Sequence, residues 1–141
     1  MIKRFTKRQL KNGERGQGLV EFALVLPLFL VLLFAIIDFG MGFSAKVSLT
    51  NSVREGARIG AVWASEDEII QRVSDTFATD YCPLGSTVVT NAQGTSGDSV
   101  VVTATCTYTL VTPLGAMLGL LSGGSFDDTF TLTSTADMRL E

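Results

Sequence analysis

Glu21 is the residue of this chain whose position most demands a chemical reason. It stands near the start of the apolar stretch 16–37, GQGLVEFALVLPLFLVLLFAII. A carboxylate there loses hydration, and it needs a compensating cation or a path back to water. The other chemistry-bearing groups are few. The chain has no histidine, which removes histidine-based triads, general bases and metal sites together. The serines therefore have no imidazole to activate them. The adjacent acids Asp67-Glu68 and Asp127-Asp128 read as solvated cap or turn residues rather than an acid pair. There is no glycine-rich phosphate loop, and the composition implies no cofactor.

The element that positions Glu21 is the apolar stretch itself. Between Glu21 and Asp38 lie 16 uncharged residues, nearly all large and apolar. As a helix rising about 1.5 Å per residue, Leu19 to Ile37 spans roughly 28 Å. A bilayer's hydrocarbon core is about 30 Å thick. The reading is one membrane-spanning helix. Before it stand Lys3, Arg4, Lys7, Arg8, Lys11 and Arg15 against the single anion Glu14. Such a basic flank stays in the cytoplasm, so residues after 38 lie outside it. From Asp38 onward there are five cations and twelve anions, a net −7 within an overall −3. An acidic exported part excludes nucleic acid as a partner, because phosphate binding needs a basic surface.

Three readings of the N-terminus compete. One is a secretory signal peptide cut near Gly40-Met41-Gly42 or Phe43-Ser44-Ala45. Another is an uncleaved anchor, in which Glu21 merely reaches back to the cytoplasmic interface. The third is a leader removed before the apolar run, at Gly16. Glu21, five residues after Gly16 at the end of a basic leader, favours the third.

Gly16-Gln17-Gly18-Leu19-Val20-Glu21-Phe22 resembles the processing site of type IV-like prepilins. With the apolar run and Asn51-Ser52-Val53-Arg54-Glu55-Gly56-Ala57-Arg58, residues 15 to 62 resemble the TadE-like family. These are minor pilins or pseudopilins of the tight-adherence (Tad, Flp) pilus. The resemblance implies cleavage between Gly16 and Gln17 by a membrane prepilin peptidase, with Glu21 and Phe22 completing the processing and assembly motif. It implies as partners that peptidase, other pilin subunits, the inner-membrane assembly platform and membrane lipid. Gln17 stands where many type IV pilins carry phenylalanine. Physically, the cut removes the cationic handle and creates an α-amino group a few residues from Glu21. In a filament the amine of one subunit could pair with the Glu21 of its neighbour, offsetting desolvation.

Pro27 interrupts the run with one missing N–H and predicts a kink or local loosening. Beyond Asp38 the helix is expected to continue to about Trp63, with Phe39, Phe43, Val47 and Val53 forming an apolar stripe. Gly56, Gly60 and Ala64, with Ala57 and Ala61, form a small-residue face that permits close packing. Its expected partner is this chain's own sheet, ahead of a neighbour's helix. Glu55 and Arg58 are spaced to pair on the surface. Ser65-Glu66-Asp67-Glu68 reads as a capping box opening a helix from about Glu66 to Ala78.

The remainder reads as strands at about 86–92, 99–111 and 126–136, alternating apolar residues with threonine. Cys82 and Cys106, in an oxidising compartment, are expected to form a disulfide rather than stay as buried thiols. The uncharged 113–121, PLGAMLGLL, reads as a short helix or loop over the sheet. The alternative is a sticky patch for a neighbouring subunit or the membrane surface.

The sequence thus predicts an α+β fold: a long N-terminal transmembrane helix continuing outside the membrane, a short second helix and a small three-stranded antiparallel sheet. Its segments are a basic leader (1–16), the spanning and extended helix (17–63) and an exported domain (64–141). The expected function is structural: a minor pilin-like subunit of an adhesive pilus, in the inner membrane with a cytoplasmic N-terminus. The competing function is an anchored or signal-peptide-exported binding module.

Overall fold

The computed structural model describes residues 13–141, with side chains from residue 16 onward. Lys3, Arg4, Lys7, Arg8 and Lys11 of the basic leader lie outside the described residues. Six elements follow in order: α1 (Gly13–Gly60), α2 (Glu66–Thr76), β1 (Leu84–Thr90), β2 (Ser99–Thr109), α3 (Leu114–Leu121) and β3 (Thr129–Arg139). The chain divides into two compact units, Met1–Leu33 and Phe34–Glu141.

In the first unit, the described chain is the beginning of α1. It stays helical through Pro27 without interruption. The helix is long and apolar enough to cross a membrane. Leu24 is 75% exposed and Leu28 72%, so this surface is uncovered among the described residues.

In the second unit, α1 continues as the central helix of a two-layer α+β fold. The sheet is antiparallel in the order β1-β2-β3. β2 and β3 pair along their whole lengths, from Ser99 opposite Arg139 to Thr109 opposite Thr129. β1 pairs with β2 through a bulge between Leu84 and Thr87. Gly85 lies in that bulge, where an added Cβ would come within 2.8 Å of the Thr105 hydroxyl. A side chain there would crowd the ladder.

Alternation on β2 decides which face is covered. Val100, Val102, Ala104, Cys106 and Tyr108 are buried, while threonines dominate the other face. The buried row meets Ala45, Leu49, Val53 and Ala57 of α1, together with Ile69 and Val73 of α2. Each large buried aliphatic contributes about 2 kcal/mol. Gly42 lies against Tyr108 and Gly60 against Val100, so this part of α1 runs antiparallel to β2.

The apolar stripe differs from the expected one. Phe39, Phe43 and Val47 are exposed, and only Val53 of that series is buried. The core-facing row is instead Ala45, Leu49, Val53 and Ala57.

α1 ends before Trp63. The Trp63 amide donates to the Gly60 carbonyl and the Ala64 amide to the Ile59 carbonyl. Trp63 itself has φ 68°. This is a Schellman turn with tryptophan at the left-handed position usually held by glycine. Its indole N–H donates to the Glu141 carbonyl at 3.1 Å, and Gln93 donates to the Trp63 carbonyl. These bonds help hold a conformation that a bulky residue otherwise avoids. α2 opens with both halves of the Ser65–Glu68 capping box and ends at Thr76, two residues short of the expected Ala78. β1 lies two residues earlier than expected, β2 begins at Ser99 as expected and ends two residues sooner, and β3 lies three residues later. β3 starts at Thr129 because Asp127 folds back to bond the Thr129 amide and hydroxyl.

Candidate processing site and domain anchor

Gly16, Gln17, Glu21 and Phe22 all lie on the first stretch of α1 and all are exposed. An added Cβ at Gly16 or Gly18 would meet nothing within 4 Å. Residues 16–29 are exposed throughout. Among the described residues, none covers the Glu21 side chain.

Gly56, Ala57 and Gly60 lie in the second unit. At Gly56 an added Cβ would stand 2.6 Å from Val73 Cγ2, and at Gly60 it would stand 3.0 Å from both Ile69 and Val100. Their neighbours are therefore α2 and β2 rather than the sheet alone. Ala57 is fully buried in the same contact. Glu55 accepts two hydrogen bonds from the Arg58 guanidinium, at 2.9 and 2.7 Å. That contact holds the Glu55 carboxyl below its ordinary range. The pair is solvent-exposed and contributes only a fraction of a kcal/mol.

Cys82 and Cys106 form a disulfide, with Cα atoms 5.6 Å apart. Both residues are fully buried. The bridge ties the segment after α2 to the middle of β2, closing a loop with a sequence separation of 24.

Sequence reasoning missed Asp38. It marked only the end of the apolar run, yet it is one of the few buried polar residues and is 2% exposed. Its Oδ1 accepts from the Val111 amide at 2.8 Å and the Thr112 amide at 3.2 Å. The Thr112 hydroxyl donates to its other oxygen. The Tyr108 hydroxyl donates to the Asp38 carbonyl at 3.0 Å and approaches Oδ1 at 3.3 Å. Thus α1 is fastened to the end of β2 and to the segment leading into α3. Burial alone would raise the Asp38 carboxyl, but the donors from Thr112, Val111 and Tyr108 outweigh it and hold it below its ordinary value. Tyr108 is pushed up to about 12 by burial, by the Asp38 charge and by its bond to that residue. The available signal was a first acid after an apolar run, with a tyrosine and threonines at the end of a distant strand.

A groove of about 550 Å³ opens beside this anchor, lined by Asp38, Phe39, Phe43, Tyr108, Leu114 and Phe130 among others. Its walls are almost wholly apolar.

Compared with known proteins, residues 16–58 match the family model described as TadE-like protein. No curated protein and no solved structure matches the chain.

Proposed function

Residues 16–58 are TadE-like, and from that premise we propose that the chain is a minor pilin-like structural subunit of a Tad pilus. In this reading a prepilin peptidase removes residues 1–16 at the Gly16–Gln17 bond. The segment 17–63, helical as far as Gly60, then anchors and aligns the subunit, and residues 64–141 complete the exported domain. The N-terminus starts on the cytoplasmic side of the inner membrane. Other pilins and the inner-membrane assembly platform are its partners. The role is that of a building element rather than a catalyst.

The observation that carries the proposal is the exposed apolar surface of 16–29 with Glu21 set into it. Lipid can cover the apolar residues, but Glu21 in lipid needs a counter-charge. The α-amino group released at Gln17 of a neighbouring subunit supplies one. A pairing of this kind selects register as well as attraction. Fastening of Asp38 also disfavours the signal-peptide alternative. Cleavage after Gly42 or Ala45 would remove Asp38 and leave the Val111 and Thr112 amides without their carboxylate partner.

The test is Glu21→Ala in cells that assemble the pilus. The variant is expected to be cleaved and to remain in the membrane while its recovery with sheared pili or with the assembly machinery falls at least tenfold. Recovery equal to the native protein contradicts the assembly role of Glu21.

A further inference from the structure

The uncharged segment around α3 gives the exported unit a second apolar surface. Between Asp98 and Asp127 the chain carries no charged residue. Within it, Leu114 anchors α3 to the unit and Met117 and Leu118 are half-buried. Leu120 and Leu121 are 87% and 80% exposed. Phe39 and Phe43, also exposed, line the neighbouring groove with Leu114 and Phe130. Large exposed patches of this kind mark a contact surface.

We propose that α3, with Phe39 and Phe43, lies in the headgroup–acyl boundary of the membrane from which α1 emerges. This rests on the reading of α1 as a membrane anchor. The argument is one of depth. Asp38 directly follows Ile37, the last residue of the apolar run. The amides of Val111 and Thr112 are bonded to Asp38, and the Leu114 amide that opens α3 is in turn bonded to the Thr112 hydroxyl. The start of α3 is therefore fixed at the level where the apolar run ends. From Asp38 to Phe43 is only about 7.5 Å along a helix. That distance falls within the band of roughly 5–10 Å occupied by interfacial apolar groups. α3 has eight residues, too few to span, and carries no charge of its own; the exposed Asp128 packs beside Gly115 near its start. Lys46 is the one cation lining the groove, and its ammonium donates to the Thr133 carbonyl of β3.

The test uses the full chain in phosphatidylethanolamine–phosphatidylglycerol nanodiscs, with a spin label at Leu120→Cys. The native cysteines are paired, so the added thiol is labelled selectively. Labels at Leu28→Cys, in the apolar run, and Val88→Cys, on exposed β1, serve as references. Collision with membrane-dissolved oxygen is compared with collision with an aqueous nickel chelate. The proposal expects position 120 to favour oxygen several-fold over nickel, as position 28 does, while position 88 shows the reverse. Leu121→Cys should repeat the result if the label at 120 disturbs α3. An aqueous reading at 120 and 121 with a lipid reading at 28 overturns the proposal and leaves the anchor standing. Shielding of 120 and 121 from both reagents identifies a protein neighbour and also overturns it. An aqueous reading at 28 overturns both the anchor and the surface that depends on it.

Discussion

Asp38 and Tyr108 are 70 positions apart in sequence, yet the tyrosine hydroxyl donates to the aspartate's carbonyl at 3.0 Å. With the carboxylate bonds to Val111 and Thr112, this contact fastens α1 to the end of the central strand. The later part of α1 is thereby a structural member of the second unit, Phe34–Glu141. The absence of a buried side-chain polar atom without a hydrogen-bond partner among the described residues shows that the acid is accommodated rather than stranded.

Removing the carboxylate should loosen that junction. Asp38→Ala leaves the Val111 and Thr112 amides and the Thr112 hydroxyl without their carboxylate acceptor and is expected to cost about 3 kcal/mol, from the penalty for buried unsatisfied donors. Asp38→Asn keeps one acceptor oxygen and should cost about half as much. Denaturant unfolding of the detergent-solubilised protein measures both. Equal stability of Asp38→Ala and the native chain contradicts the anchor.

Acid should act on the same junction. The folded Asp38 carboxyl lies below its ordinary value. A depressed folded value adds stability above the unfolded value, and that stability is lost as pH falls through the folded one. Native stability should therefore decline below about pH 4, more steeply than that of Asp38→Asn. Parallel declines in the two proteins contradict the assignment.

Alkali tests the other partner. Tyr108 ionises only at about 12 in the folded chain. Its contribution is present below the unfolded tyrosine value of about 10 and is lost as pH rises through the folded one. In a Tyr81→Phe background, ultraviolet titration should show the remaining tyrosine ionising late. Asp38→Asn should bring that transition down by removing the neighbouring negative charge. An unmoved transition contradicts the coupling.

Much of this architecture was legible in the sequence. Hydropathy and charge marked the apolar helix, the Ser65–Glu68 spacing marked the start of α2, and alternation with threonine marked β2 and β3. What sequence could not supply was the side of α1 that faces the sheet. Phe39, Phe43 and Val47 recur at helical spacing, but Ala45, Leu49, Val53 and Ala57 do so equally well. Asp38 escaped notice because its donors come from a turn more than 70 residues away, where nothing local signals them. Gly56 and Gly60 were marked as packing positions, but α2 as a neighbour of both became visible only in three dimensions.

The glycine contact gives a directional mutation. Gly56→Ala would place a Cβ 2.6 Å from Val73 Cγ2. Val73 is β-branched and has little rotamer freedom to yield. Overpacking costs about 1–3 kcal/mol, against a helix-propensity gain of up to about 1 kcal/mol. The expected net effect is destabilisation by about 1–2 kcal/mol. Gly40→Ala, with nothing within 4 Å, keeps only the gain. Thermal unfolding of the two variants should move in opposite directions, and a stabilised Gly56→Ala contradicts the packing.

Loss of the Cys82–Cys106 bridge should destabilise the second unit without changing its fold. The closed loop gives about 3 kcal/mol in the chain-entropy model. Paired Cys82→Ser and Cys106→Ser substitutions should lower the denaturant midpoint by a corresponding amount. An unchanged midpoint, with the native protein verified as oxidised by mass, contradicts that contribution.

The mature N-terminus tests the central claim most directly. Intact-mass and N-terminal peptide analysis of the protein from pilus-forming cells should find a chain beginning at Gln17. A chain still beginning at Met1 in the presence of the peptidase, or one beginning near Phe43 or Lys46, contradicts the pilin reading.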